Sequence, residues 1–147
     1  LDLARELGAS STINSNCDDV LVKIRELTNG QGADVVVEAA GENLAVQQSV
    51  LLAKKFGVVI WFGITTDPHF GFDFRYIRDN DLTIISTSST RSGNMPRYVR
   101  HAVDMVDQNR IDPDFLITHK MGLADIQRAF EMHESRSDGI IKVVLDL

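Results

Sequence analysis

Three apolar runs with almost no polar alternation, Val35-Val36-Val37, Val58-Val-Ile-Trp-Phe62 and Leu82-Thr-Ile-Ile85, constrain this chain more than any other feature. A strand with one wet face alternates apolar and polar residues, whereas an unalternated run is what a parallel strand covered on both faces shows. The stretches between them carry helical spacing. Val20, Ile24 and Leu27 share one face of a helix that Asp18 or Asp19 caps and Asn29-Gly30 ends. Leu44, Val46, Val50 and Leu51 point inward from a helix starting near Asn43, with Lys54-Lys55 suited to its negative C-terminal end and Gly57 as its stop. Pro96 sits in the first turn of a third helix bearing Tyr98, Val99, Ala102, Val103 and Val106. Strand–helix–strand units at this spacing predict an α/β fold with a mainly parallel sheet, whose ligands bind at the carboxyl ends of the strands. Those ends are Ala39-Ala-Gly41, Phe62-Gly-Ile64 and Ile85-Ser-Thr87. Small residues at two of them let a flat ligand approach the backbone closely.

The flanking segments are less regular. Leu1, Ala4 and Leu7 lie at helical spacing before Gly8; nothing resembles a cap, so this helix is expected to begin upstream and the chain to be a piece of something longer. Thr12-Ile-Asn14 has room only for a short strand. Asp67-Pro68 predicts a turn, and Phe70, Phe72 and Phe74 alternate with Gly71, Asp73 and Arg75 as in an edge strand with one aromatic face. The third run passes into Ser86-Thr-Ser-Ser-Thr90. Past Arg110, Ile111-Asp-Pro113 reads as a turn, Phe115 to His119 as a strand, Ala124 to Met132 as a helix and Ile140 to Leu145 as a final strand.

Fifteen Lys and Arg against twenty-one Asp and Glu leave a formal charge of −6 over 147 residues, the wrong sign for a protein that neutralises nucleic-acid phosphates or anionic lipid. A single cysteine, Cys17, forms no intrachain disulfide, and no apolar run approaches the roughly 20 residues of a membrane span. The expectation is a soluble, cytoplasmic protein with small-molecule partners.

Several phrases together resemble the medium-chain dehydrogenase/reductase family, in its zinc-dependent alcohol and polyol dehydrogenase branch. They are Leu1-x-x-Ala4-x-x-Leu7-Gly8-Ala9, Gly30-x-Gly32-Ala33-Asp34-Val-Val-Val-Glu38-x-x-Gly41, Phe62-Gly63, Leu116-Ile-Thr-His119, Ala129-Phe-Glu131 and Ile141-Lys-Val-Val-Leu145. The resemblance implies a partial Rossmann domain over residues 1–110, a doubly wound sheet lacking its first two strands, and a short α+β tail over 111–147 that packs on the catalytic domain of the full enzyme. In the usual strand order Thr12-Ile-Asn14 joins the sheet through two strands missing here, so it is expected to be displaced, disordered or paired with another chain, while the strands at Val35, Val58 and Leu82 stay contiguous.

The resemblance also implies NAD or NADP as cofactor. Ala40 and Gly41 would lie beside the adenosine ribose, and Phe62, Gly63 and Ile64 at the nicotinamide. Ile85 and Ser86 would offer backbone groups to the carboxamide, and Lys142 would reach the pyrophosphate as a point charge, unless it is simply a solvated strand charge. Ser86-Thr87 departs from the family's common Gly-Ser. Gly30-Gln-Gly32 precedes its strand and is a loop, not a phosphate cradle. Zinc belongs to the parent only, because its Cys and His ligands are absent from this sequence and Cys17 alone supplies neither a catalytic nor a structural site. The isolated chain is therefore expected to be inactive, the parent acting on an alcohol or ketone.

Outside those positions, His119 reads as structural, Glu38 as a carboxylate fixing the loop beside the cofactor, Trp61 as core, and His69, His101 and His133 as surface residues. The phenylalanine edge resembles the strand through which family members dimerise. The alternatives are a zinc-free quinone or enoyl reductase of the same superfamily, or a noncatalytic α/β module that self-associates.

Overall fold

The computed structural model describes all of residues 1–147 except Thr66, Pro68, Phe70, residues 88–92 and Leu147. The chain divides into two compact units, Leu1–Arg91 and Ser92–Leu147.

In the first unit, α1 (Asp2–Glu6) and α2 (Val20–Leu27) precede β1 (Ala33–Glu38), α3 (Asn43–Leu52), β2 (Ala53–Trp61), α4 (Phe74–Asp79) and β3 (Thr83–Ser86). The Asp19 carboxylate accepts Val22 N–H at 3.1 Å and so starts α2. At its other end Thr28 Oγ1 donates to Ile24 O (2.7 Å) and accepts from Gly32 N (2.9 Å), tying the helix to the turn before β1. The three strands form one parallel sheet in the order β1-β2-β3, the contiguity the apolar runs predict.

Register decides which face each residue serves. Val36, Val59 and Ile84 form one cross-strand row and Glu38, Trp61 and Ser86 the next on the same face; Val35, Val58 and Thr83, then Val37, Ile60 and Ile85, form the rows of the other face. The first face lies under α3, where Val46, Val50 and Val59 are buried. On the second face Val35, Val37 and Ile85 are exposed by 54%, 58% and 43%. The sheet is thus covered on one face along β1, not on both as its valines predict.

Three local expectations are corrected. Helix α3 stops at Leu52 and β2 begins at Ala53, so Lys54 and Lys55 lie in the strand and do not cap a helix dipole. Lys54 instead reaches across to Asp34 on β1. The pairing jumps from Ala33–Ala53 to Val35–Val58, so three extra residues of β2 bulge out, with Phe56 in the left-handed region at φ 61° and its N–H held by Asn80 O at 2.8 Å. Phe72 and Phe74 do not belong to a strand: Asp73 accepts Tyr76 N–H at 2.9 Å, capping α4, which Phe74 opens. Thr12-Ile-Asn14 forms no strand and joins neither sheet of the described residues. The expected turn at Pro68, the first aromatic position Phe70 and the serine-rich run after Thr87 lie outside the described residues.

The second unit holds α5 (Met95–Asp107), a 3-10 turn at Asp114–Leu116, β4 (Ile117–Gly122), a 3-10 turn at Leu123–Asp125, α6 (Ile126–Ser135) and β5 (Lys142–Asp146). Strands β4 and β5 pair in parallel, with α6 as the crossover between them. Thr118 Oγ1 accepts Ile141 N–H at 2.9 Å and donates to Lys142 O at 3.2 Å, locking the entry to β5. No helix among the described residues is long and apolar enough to cross a membrane.

Candidate functional site

Because β1, β2 and β3 are parallel and Glu38, Trp61 and Ser86 stand in one register row, the loops that follow them leave the sheet at the same edge. Six of the eight predicted site residues therefore come together there: Ala40 and Gly41 after β1, Phe62, Gly63 and Ile64 after β2, and Ser86 at the end of β3. Ile85 stands one residue back on the same strand. Lys142 belongs to the second unit, exposed at the start of β5 opposite Ile117.

The first two loops are packed backbone to backbone. Gly41 has φ +74°, and a Cβ there would lie 2.6 Å from Ile64 O. A Cβ on Gly63 would overlap the Gly41 peptide and approach Glu38 Oε2 to 2.6 Å. Glycine is required at both positions for the loops to meet. Glu38, 4% exposed, joins them. Its Oε1 accepts Ala40 N–H at 2.8 Å and Gly41 N–H at 2.7 Å, and its main-chain carbonyl accepts Phe62 N–H at 2.9 Å and Gly63 N–H at 3.0 Å. The expected loop-fixing role of this carboxylate is what the geometry shows. Its Oε2 is buried with no hydrogen-bond partner among the described residues.

Further along, Thr65 Oγ1 donates to Asn43 Oδ1 at 2.8 Å, and Asn43 Nδ2 donates to Asp67 Oδ2 at 3.2 Å. This link pins the loop after β2 to the start of α3. It was not visible in the sequence, where the partners stand 22 and 24 positions apart without any motif to join them.

The outer surface of this edge is apolar and open: Phe62 is 59% and Ile64 89% exposed. At β3, Thr87 N–H donates to Trp61 O at 3.0 Å. Backbone groups alternate sides along a strand, so the N–H and C=O of Ser86 face away from β2 while those of Ile85 face it. Of this pair, Ser86 is thus the residue whose main-chain groups are turned away from β2.

The remaining candidates are structural. Trp61 Nε1 donates to Ser49 Oγ (3.1 Å), whose hydroxyl donates to Val46 O (2.7 Å), and Phe72 meets the indole edge-on at 5.8 Å and 66°. His119 pairs its Nδ1 with Thr118 Oγ1 (2.9 Å) and its Nε2 with Asp138 Oδ2 (3.3 Å). Cys17, His69, His101 and His133 are exposed. Among the described residues no group of three or more His, Cys, Asp or Glu could hold a metal ion. A cavity of about 330 Å³ in the second unit lies between α6 and β5, lined by Phe130, His133 and Lys142 among others.

The family profile "Zinc-binding dehydrogenase" matches residues 1–107. A sorbitol dehydrogenase of Halalkalibacterium halodurans is 28% identical over 145 residues, covering 99% of this chain and 40% of that protein. An alcohol dehydrogenase of Cupriavidus necator is 26% identical over 158 residues, covering 99% of this chain and 39% of that protein. Among solved structures, an alcohol dehydrogenase from Thermus sp. ATN1 superposes with a TM-score of 0.86 at 24% identity, over 100% of this chain and 41% of that one. The chain spans about 40% of the length of the relatives it matches, over the C-terminal, Rossmann-type part. The chain belongs to the zinc-binding dehydrogenase family.

Proposed function

We propose that this chain is the cofactor-binding portion of a zinc-type, NAD- or NADP-dependent alcohol or polyol dehydrogenase, and that by itself it is inactive. The observation that carries the reading is the alignment of three parallel strand ends, with two loops brought into contact at Gly41 and Gly63 beneath an open apolar surface. Such an edge is where open α/β sheets hold dinucleotides. In this reading Ala40 and Gly41 lie beside the adenosine ribose, Phe62, Gly63 and Ile64 border the nicotinamide, and the open main-chain groups of Ser86 orient its carboxamide. Ile85 adds apolar surface below. Lys142 is assigned to the pyrophosphate as a point charge.

The nicotinamide supplies the hydride acceptor; what this chain contributes is orientation and the exclusion of water from one face of the ring. Zinc in the parent would polarise the alcohol oxygen, and its ligands are assigned outside this chain. The same proposal makes residues 1–110 the later part of the dinucleotide domain and 111–147 a tail against the catalytic domain. It also includes a cytoplasmic location and a homodimer or higher assembly through the 70–74 segment. Among the described residues of that segment Phe72 meets Trp61 and Phe74 is exposed, which makes Phe74 a candidate for that contact.

Titration calorimetry of the chain with NADH and NADPH tests the reading. Saturable heat with either supports it. Reduction of either oxidised cofactor by alcohols on this chain alone would overturn the assignment of the reaction to the parent.

A further inference from the structure

Glu38 is the most buried ionisable side chain described, and the fold spends it on loops, not on a cation. Between its carboxylate and its own carbonyl it takes up four backbone donors, those of Ala40, Gly41, Phe62 and Gly63. All four are at positions assigned to the cofactor. A donor committed to a buried acceptor is not available to a ligand, and what these residues can then turn outward is carbonyl oxygen. The surroundings have the same sign: Glu42 stands at the start of α3 and Asp67 beside Asn43. An anion placed at this edge meets carboxylates and carbonyls and loses hydration without gaining donors. A hydroxyl or amide N–H placed there meets acceptors.

We propose that Glu38 is a positioning residue of the candidate cofactor site, holding the loops after β1 and β2 together and turning their donors inward, so that the edge accepts hydrogen bonds from the ribose hydroxyl and carboxamide groups of a nicotinamide dinucleotide. This rests on the cofactor reading above. Glu38 does not touch the ligand. It acts through the Ala40-Gly41 and Phe62-Gly63 peptides. Its second carboxylate oxygen, buried beside Gly63 without a partner, fills the space a Cβ at that position would take and so fixes the separation of the loops.

Amide hydrogen exchange on the full chain, wild type and the Glu38→Ala and Glu38→Gln variants, tests the positioning role without needing any ligand. In the wild type the amides of Ala40, Gly41, Phe62 and Gly63 are expected to be protected although all four lie past the strand ends. In Glu38→Ala, exchange at Ala40 and Gly41 is expected to rise on the order of 10-fold, the loss of a charge-assisted hydrogen bond, while Val59 on the central strand is unchanged. Glu38→Gln, which keeps an acceptor oxygen, is expected to restore protection. Unprotected loop amides in the wild type overturn the proposal, and that result stands even if Glu38→Ala does not fold. So does a rise shared equally by Val59. A parallel titration with NADH and NADPH separates the two readings. Wild-type binding weakened about 10-fold in Glu38→Ala supports both. No wild-type binding removes the cofactor reading, while the exchange data still decide what Glu38 does. Wild-type binding unaltered by Glu38→Ala overturns the role of Glu38 and leaves the cofactor reading standing.

Discussion

Replacing Gly63 by alanine adds one methyl group at the tightest point of the candidate site, and the structure allows its cost to be worked out. The new Cβ would lie 2.6 Å from Glu38 Oε2 and 2.8 Å from Gly41 Cα, and closer still to the Gly41 nitrogen. Two of those three neighbours are backbone, so no rotamer change relieves the overlap and the loops must separate. Separation strains or breaks the Gly41 N–H bond to Glu38 Oε1 and the Gly63 N–H bond to Glu38 O, now 2.7 and 3.0 Å. A hydrogen bond to a charged group contributes roughly 1.5–3 kcal/mol and a neutral one about 1 kcal/mol, so Gly63→Ala should cost about 2–4 kcal/mol. Gly71→Ala is the control. Nothing lies within 4 Å of a Cβ there, and the loss of unfolded-state freedom should leave it neutral or about 0.5 kcal/mol more stable. Urea unfolding followed by the fluorescence of Trp61 reads both, with the midpoint falling in the first variant and the slope unchanged. If Gly63→Ala unfolds at the wild-type midpoint, the two loops are not packed as described and the reasoning fails.

Four other outcomes follow from the same structure. Val59→Ala, at a fully buried position, should cost about 2–3 kcal/mol, and Val37→Ala on the exposed face less than about 1 kcal/mol; similar losses in urea melts would contradict the one-sided core. Phe56→Asn should be tolerated within about 1 kcal/mol because asparagine accepts a positive φ, whereas Phe56→Val, β-branched, should cost more than that, as read by thermal melts. Removing the Asp73 carboxylate with Asp73→Ala should cost about 1 kcal/mol by uncapping α4, measured in the same way. The Lys54 ammonium hydrogen-bonds Asp34 and, by its charge, further holds that carboxyl below its ordinary 3.8. A carboxyl lowered in the folded state stabilises above its unfolded pKa and loses that contribution as pH falls through the folded one. Lys54→Met should therefore lower the urea midpoint near neutral pH, and the deficit should vanish once the pH is below Asp34's folded value and in high salt. A deficit independent of pH would assign it to lost packing.

The sheet was legible because Val35 to Val37, Val58 to Phe62 and Leu82 to Ile85 are apolar without alternation, and such runs have few alternatives to a central parallel strand. What the runs cannot reveal is which elements cover them. Val35 and Val37 carry the pattern of a doubly covered strand, yet within Leu1–Arg91 helix α3 covers only their opposite face. The limits of α3 were misplaced because Lys54-Lys55 before Gly57 matches both a helix end and a bulged strand start. Register with Ala33 settles it, and register is a tertiary property. At Phe72 and Phe74 a period of two competes with an Asp73 cap, and the cap prevails because Tyr76, one turn on, also anchors its hydroxyl on Ala53 O at 3.3 Å. Thr12-Ile-Asn14 has β-branched residues but no neighbouring strand to complete its hydrogen bonds. At the site, the place of Glu38 at the end of its strand was enough to suggest a loop-fixing carboxylate. The Gly41–Gly63 contact was not readable, since it joins residues 22 apart in sequence through backbone alone.

The claim on which the account turns is that the edge formed by the ends of β1, β2 and β3 holds a nicotinamide dinucleotide. Amide chemical-shift mapping of the chain during titration with NADH tests it most directly. The account predicts saturable shifts centred on Ala40-Gly41, Phe62 to Ile64 and Ser86. Saturable shifts confined to other residues, such as Phe130 and His133 beside the cavity of the second unit, would contradict it.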